Sequence, residues 1–302
     1  MELAHFDWTL YWFMFPVALC VATTATFSGI AGSALFAPIF LVVFPLLGPE
    51  YQFPGVAAAI GVALLTATFG LSSGVVAYLR RRLIDFRSAV PFILVAVPFG
   101  IFGAFMLAAL KEHQEFLRGA YALLMAVLAT ILFRRRKPGP GAAAAPDGEP
   151  AGQEIREIVE RDGKVYRFAV PRQGKGAAAT GLGALLTGLL GVGIGEVVMP
   201  QLARRNRVPI QVAAATSLFV VVLTVASASF IQISTLVAAG GLTAVPWNVV
   251  VYTVPAVLIG GQIGPRLQGK VSQRAVEVGV GCLFTVIGVA MAVTALRNTL
   301  FG

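Results

Sequence analysis

The stretch "GVGIGEVVMP" (residues 191–200) has the layout of an earlier one, "GIAGSALFAP" (29–38). Each opens on glycine, is rich in small residues, and closes on a proline nine residues after the first glycine. Both lie inside long apolar segments, where glycine and proline are the poorest helix formers. The later copy also carries Glu196, an acid where a charge is expensive. A chain that interrupts the same kind of segment twice, in the same way, has a reason to do so, and the rest of the sequence supplies it.

The 302 residues are 57% hydrophobic and 12% charged, against about a quarter charged in a soluble domain. The charges come in short clusters. Residues 51–79, 88–110, 119–133, 208–265 and 278–296 contain no Lys, Arg, Asp or Glu, and several of these runs reach or exceed the roughly 20 residues that one membrane-spanning helix needs. The reading is an all-α polytopic membrane protein. The start, "MELAHFDWTLYWFMF", has no basic n-region or small-residue cleavage site and does not read as a removable signal. Trp8, Tyr11 and Trp12 fit an interfacial aromatic belt. Cys20 and Cys282 sit in apolar segments and read as small buried residues. With His5 and His113 far apart, no metal cluster or cofactor site is expected. The net charge of +9 is read as membrane topology, not as nucleic-acid binding.

Five apolar segments precede residue 134 (11–28, 30–47, 54–79, 86–110, 116–133) and five follow residue 175 (176–192, 194–203, 208–232, 246–265, 275–296). If each glycine–proline region is a hairpin, one side receives all of the 23 Lys and Arg except Lys111, Arg118 and Arg297. If each is a single crossing, the clusters at 204–207 and 266–274 move to the other side and the bias weakens. The positive-inside rule favours hairpins, with the central loop cytoplasmic and both termini outside. Five segments per half is an odd number, so the second half enters upside down. The expected fold is an inverted-topology repeat of two five-segment halves, each with a broken, re-entrant helical hairpin. Its parts are a first repeat (1–133), a cytoplasmic linker (134–175) and a second repeat (176–302). The repeat is visible in ordered matches: Gly29 with Gly191, Ser33 with Gly195, Pro38 with Pro200, then "FPGVAAAIGVA" (53–63) with "VPIQVAAATSL" (208–218), then "GIFG" (100–103) with "GQIG" (261–264). In the linker, 137–153 reads as flexible, and "EIREIVERDGKVYRFAVP" (154–171) reads as a small β-hairpin turning at Asp162-Gly163 through a type I′ turn.

"GVGIGEVVMP" and "VPIQVAAATSL", with their weaker first-half copies and "LRRRLIDFRSAV" (79–90), resemble the TauE/SafE sulfite exporter family over nearly the whole chain apart from 137–175. Gly191, Gly193, Gly195 and Pro200 match that family's glycine-rich block, and Ala215, Thr216 and Ser217 its A–T–S block. Ile194 stands where the family often has glycine, and Glu196 lies outside its general pattern. The resemblance implies a transporter of sulfur-containing anions.

A helix interrupted in mid-membrane frees backbone N–H groups, which survive only when buried in protein or lining a polar cavity. Helix N-termini carry partial positive charge and suit an oxyanion. Two inverted breaks meeting near the midplane would aim two such ends at one site. The expected anion-binding residues are Gly29, Gly32, Ser33, Gly191, Gly193, Gly195, Thr216 and Ser217, with Pro38 and Pro200 as structural breaks. The same glycines also fit GxxxG helix packing, as in Gly260-xxx-Gly264, and the hydroxyls of Thr216 and Ser217 fit bonds to their own helix equally well. Ser28 carries the same ambiguity, and Gln262 is a candidate to line a pathway. Glu196 is read as a proton-coupling group, against the alternative of a permanently protonated acid. The function expected is a proton-coupled secondary transporter of small sulfur-containing or organic anions in the bacterial cytoplasmic membrane, its partners being the anion, protons and the bilayer. A passive anion channel is the alternative. An intramembrane enzyme ranks lower, because no cluster of catalytic residues is visible. Homo-oligomerisation is left open.

Overall fold

The computed structural model describes residues 7–29, 31–110, 112–134, 155–169, 176–205 and 208–267, with scattered positions between 278 and 289. The linker 137–153, most of the segment expected at 275–296, and both chain ends lie outside the described residues. Helix α1 (Met14–Ser28) is followed by α2 (Ser33–Pro38), a π-helical stretch (Ile39–Val43) and α3 (Phe44–Leu47). Three long helices come next: α4 (Val56–Arg81), α5 (Phe86–Leu110) and α6 (Gln114–Arg134). Strands β1 (Ile155–Val159) and β2 (Val165–Ala169) precede α7 (Ala177–Leu190), α8 (Ile194–Pro200), a second π-helical stretch (Gln201–Arg205), α9 (Ile210–Gly240) and α10 (Trp247–Leu267). Among the described residues, α4, α5, α6, α9 and α10 are long and apolar enough to cross a membrane. The chain is a multi-pass membrane protein.

Helix packing comes in matched pairs. Helix α1 packs on α10 as α7 packs on α5; α4 packs on α10 as α9 packs on α5; α2 lies on α4 as α8 lies on α9; and α4 meets α9. Small residues permit the close approaches. A methyl group on Gly260 would stand 2.6 Å from the Leu19 carbonyl oxygen, and one on Gly264 2.7 Å from that of Thr23, so α10 meets α1 backbone to backbone. Gly103 likewise faces the Leu185 carbonyl, and Gly188 that of Gly100, where α5 meets α7. Gly260 and Gly264 are therefore packing glycines.

Contacts join the two ends of each interrupted segment. Tyr11, ahead of α1, stacks on Phe44 of α3 at 5.2 Å between ring centroids, and its hydroxyl donates to the Tyr51 carbonyl. In the second case the Gln201 amide donates to the Gly176 carbonyl. Tyr11 is thus a core residue, 5% exposed, and not an outward-facing belt aromatic; its ring packs on Phe44, a partner that the local sequence does not announce. Trp8 and Trp12 remain exposed. Cys20 and Cys282 are also exposed, contrary to expectation. An outward helix face in lipid is as apolar as an inward one, so apolar neighbours carried no burial information.

The hairpin forms where expected, with Ile155 opposite Ala169 and Val159 opposite Val165, but its turn differs. Glu160 N–H donates to the Lys164 carbonyl and Gly163 N–H to that of Glu160. Only Gly163 has positive φ, at 89°. A type I′ turn needs both central residues there, so this is a three-residue loop of type I with glycine in the left-handed position. The hairpin buries Tyr166 and Phe168 in the common core. Burial, then the hydrogen bond it donates to Glu160, pushes the Tyr166 phenol up to about 12, so it stays a donor at neutral pH.

Replacing Gly188 by alanine places a methyl group against the Gly100 carbonyl and 2.7 Å from Ala104 N. Thermal unfolding in detergent should show a loss of about 1–3 kcal/mol, the cost of overpacking. Gly119→Ala, with nothing within 4 Å of the added atom, should be close to neutral in the same assay.

Candidate substrate site

Both breaks are made by the same local event. Gly29 ends α1 with φ 73° and Gly191 ends α7 with φ 78°, the left-handed cap that glycine adopts without penalty. The Gly29 N–H donates to the Ala25 carbonyl at 2.9 Å and the Gly191 N–H to that of Thr187 at 2.8 Å. The breaks lie at these glycines and not at the prolines. Pro38 and Pro200 sit inside helices that continue, and each marks the switch from α to π geometry. Proline's missing N–H leaves a carbonyl one turn back unpaired, and the wider π turn absorbs the mismatch.

The two breaks are neighbours. A methyl group on Gly29 would lie 3.3 Å from the Met199 side chain and 3.7 Å from Ala214 Cα. One on Gly191 would lie 3.6 Å from Ile60 and 3.9 Å from Ser33 Cβ. Gly32 packs on Ala67 and Ala25, and Gly193 faces the Gly183 carbonyl; Gly195 is buried in α8. Ser33 opens α2, and Ser217 lies on α9 one turn after Ala214. Both are fully buried, and neither hydroxyl has a hydrogen-bond partner. A buried polar group without a partner costs roughly 1–3 kcal/mol, so such groups ask for an explanation. Ser33 lies against the second break, and Ser217 lies one turn along α9 from Ala214, which packs on the first; together these hydroxyls make a polar locus. The void beside Gly32, lined also by Ala25, Phe36 and Ala67, measures about 10 Å³, space for about one water.

Other candidates are engaged elsewhere. Thr216 Oγ1 accepts the Asp85 N–H at 3.0 Å. The Ser28 hydroxyl bonds back to Thr24. Gln262 donates to the Ser73 carbonyl and hydroxyl, tying α10 to α4. Glu196 is 5% exposed in the first turn of α8, within electrostatic range of Tyr121 on α6. Tyr121 is wholly buried, with no hydrogen-bond partner for its hydroxyl. Sequence reading passed over it, because one tyrosine in an apolar helix looks like any core aromatic.

Thr187 was missed as well. Its hydroxyl accepts the Ile194 N–H at 2.8 Å and donates to the Gly183 carbonyl, so the first free donor of α8 is already satisfied. The available signal was position: threonine stands four residues before the second break glycine, where the first break has Ala25.

The family model for the sulfite exporter TauE/SafE matches residues 14–291. The chain belongs to the TauE/SafE sulfite exporter family. It is 22% identical over 272 residues, 90% of this chain and 93% of the relative, to the probable membrane transporter protein YunE of Bacillus subtilis (strain 168). No solved structure matches. Together with the helices described above, this makes the protein a membrane transporter. The residues that resemble the family's glycine-rich block, 191–200, lie at the second break, and those that resemble its A–T–S block, Ala215, Thr216 and Ser217, lie on α9.

Thr187→Val leaves the Ile194 N–H buried and unpaired. It should lower stability in detergent by about 1–3 kcal/mol, read as a thermal shift, whereas Thr187→Ser should stay close to wild type. Equal behaviour of the two variants would remove the cap.

Proposed function

We propose that this transporter is a proton-coupled secondary carrier of small sulfur-containing or organic anions, sulfite and sulfonates being the first class to test. It would sit in the bacterial cytoplasmic membrane, with the 134–175 loop on the cytoplasmic side. In this reading the two halves are an inverted repeat, as in many secondary transporters, and each interrupted segment is a re-entrant hairpin. The matched helix pairs and the return of Phe44 to Tyr11 and of Gln201 to Gly176 support it.

The observation that carries the site is the meeting of the two breaks beside the unpartnered hydroxyls of Ser33 and Ser217. Hydroxyl donors bind an oxyanion without a buried lysine or arginine. Anion and a charged Glu196 would repel each other, so protonation of Glu196 would favour binding, and its release would favour discharge. Close packing between the breaks favours a carrier that must rearrange over an open channel.

The test is uptake of labelled sulfite and taurine-like sulfonates into proteoliposomes under an imposed pH gradient. Saturable, gradient-driven uptake is expected. Ser33→Ala and Ser217→Ala should each raise KM about tenfold or more, the worth of a hydrogen bond to a charged group. Glu196→Gln should keep anion exchange and lose acceleration by the gradient. If the Gln variant still responds to the gradient, Glu196 is not the coupling group.

A further inference from the structure

The hairpin formed by β1 and β2 touches several helix ends at once. Arg156 places one guanidinium nitrogen 2.8 and 2.7 Å from the two carboxylate oxygens of Asp85. Asp85 in turn accepts hydrogen bonds from the Ser88 hydroxyl and backbone N–H, capping the start of α5. The Asp85 N–H donates to Thr216 Oγ1 on α9. A bonded chain therefore runs from the hairpin through Asp85 to Thr216, the residue next to the unpartnered Ser217. A second chain starts at Glu160, which pairs with Arg81 at 2.6 Å and accepts from Tyr166. Arg81 also donates to the Pro265 carbonyl of α10 at 2.5 Å, and its own carbonyl accepts the Arg161 N–H. Asp85 and Glu160 are each 5% exposed, so salt screens these pairs far less than surface ones.

We propose that the hairpin is a latch over this end of the transporter: the Arg156–Asp85 and Arg81–Glu160 pairs hold α4, α5, α9 and α10 together, and access to Ser217 from this side requires their release. The inference rests on the transporter reading. The Asp85–Thr216 and Arg81–Pro265 hydrogen bonds join the first half of the chain to the second, and a carrier that rocks one half against the other must break such contacts once per cycle. Separating paired, largely buried charges is costly, so the latch sets a closed resting state, which opens when the hairpin leaves Asp85 and Arg81. Arg156 and Asp85 act here as positioning residues.

The test reads access and needs no transported substrate. In a Cys20→Ser, Cys282→Ser background, Ser217→Cys is labelled in proteoliposomes by an impermeant trimethylammonium-bearing thiol reagent applied to the hairpin side. With the latch intact, labelling should be slow. Arg156→Ala should speed it about tenfold, a change in the range that loss of a partly buried pair supports. Asp85→Arg combined with Arg156→Asp should restore slow labelling. Arg156→Lys, which keeps the charge and is the variant least prone to misfold, should give an intermediate rate, with an unchanged thermal midpoint as the check on folding. A labelling rate in folded Arg156→Ala equal to that of the parent would overturn the latch. Because sulfite is not the readout, that failure is separate from failure of the sulfite reading.

Discussion

The constraint on which this structure depends is the backbone at a helix end buried in an apolar body. Every N–H and C=O released by a break must find a partner inside the protein or face a polar ligand. The left-handed glycine caps at Gly29 and Gly191 reclaim one carbonyl each, and Thr187 reclaims the first N–H of α8. Close packing is the consequence: the interrupted segments bring Gly29 against Met199 and Gly191 against Ser33. Small residues are needed at these points because backbones, not side chains, are what must approach. The same logic places Gly103, Gly188, Gly260 and Gly264 where α5 meets α7 and α10 meets α1.

Much of this was legible in the sequence. Uncharged runs marked the long helices, and the terminal positions of α4, α5 and α10 fall within a few residues of those read from charge alone. The duplicated glycine–proline blocks marked the interrupted segments, but the breaks fall at Gly29 and Gly191 and not at Pro38 and Pro200, which were read as the breaks. Asp162-Gly163 between two β-prone runs marked the hairpin, though not its turn, since the type depends on which carbonyl Glu160 N–H finds across the loop. The errors share a cause. Burial of Tyr11 and exposure of Cys20 could not be read because membrane proteins present apolar residues on both faces of a helix. Polar partners were equally hidden: Thr216 bonds to Asp85, 131 positions away in the chain, and Gln262 to Ser73, 189 positions away. Spacing along one helix says nothing about such pairs.

The two breaks share a backbone event but not a chemistry. Corresponding positions in the two breaks, 162 residues apart on the Gly29 and Gly191 alignment, differ where it matters: Thr187 against Ala25, Glu196 against Ala34, and Ser33 against Gly195. One break therefore contributes an unpartnered hydroxyl, while the other has its first donor capped internally and carries the acid. Two similar backbones set the geometry of the locus; unlike side chains divide the tasks within it. An anion approaching Ser33 would meet a donor that nothing else uses, while the second break offers a donor that Thr187 already holds. The polar character of the locus then comes from the first break together with α9, and Glu196 stands on the opposite break, where a change in its charge could act on the anion through space without a direct bond between them.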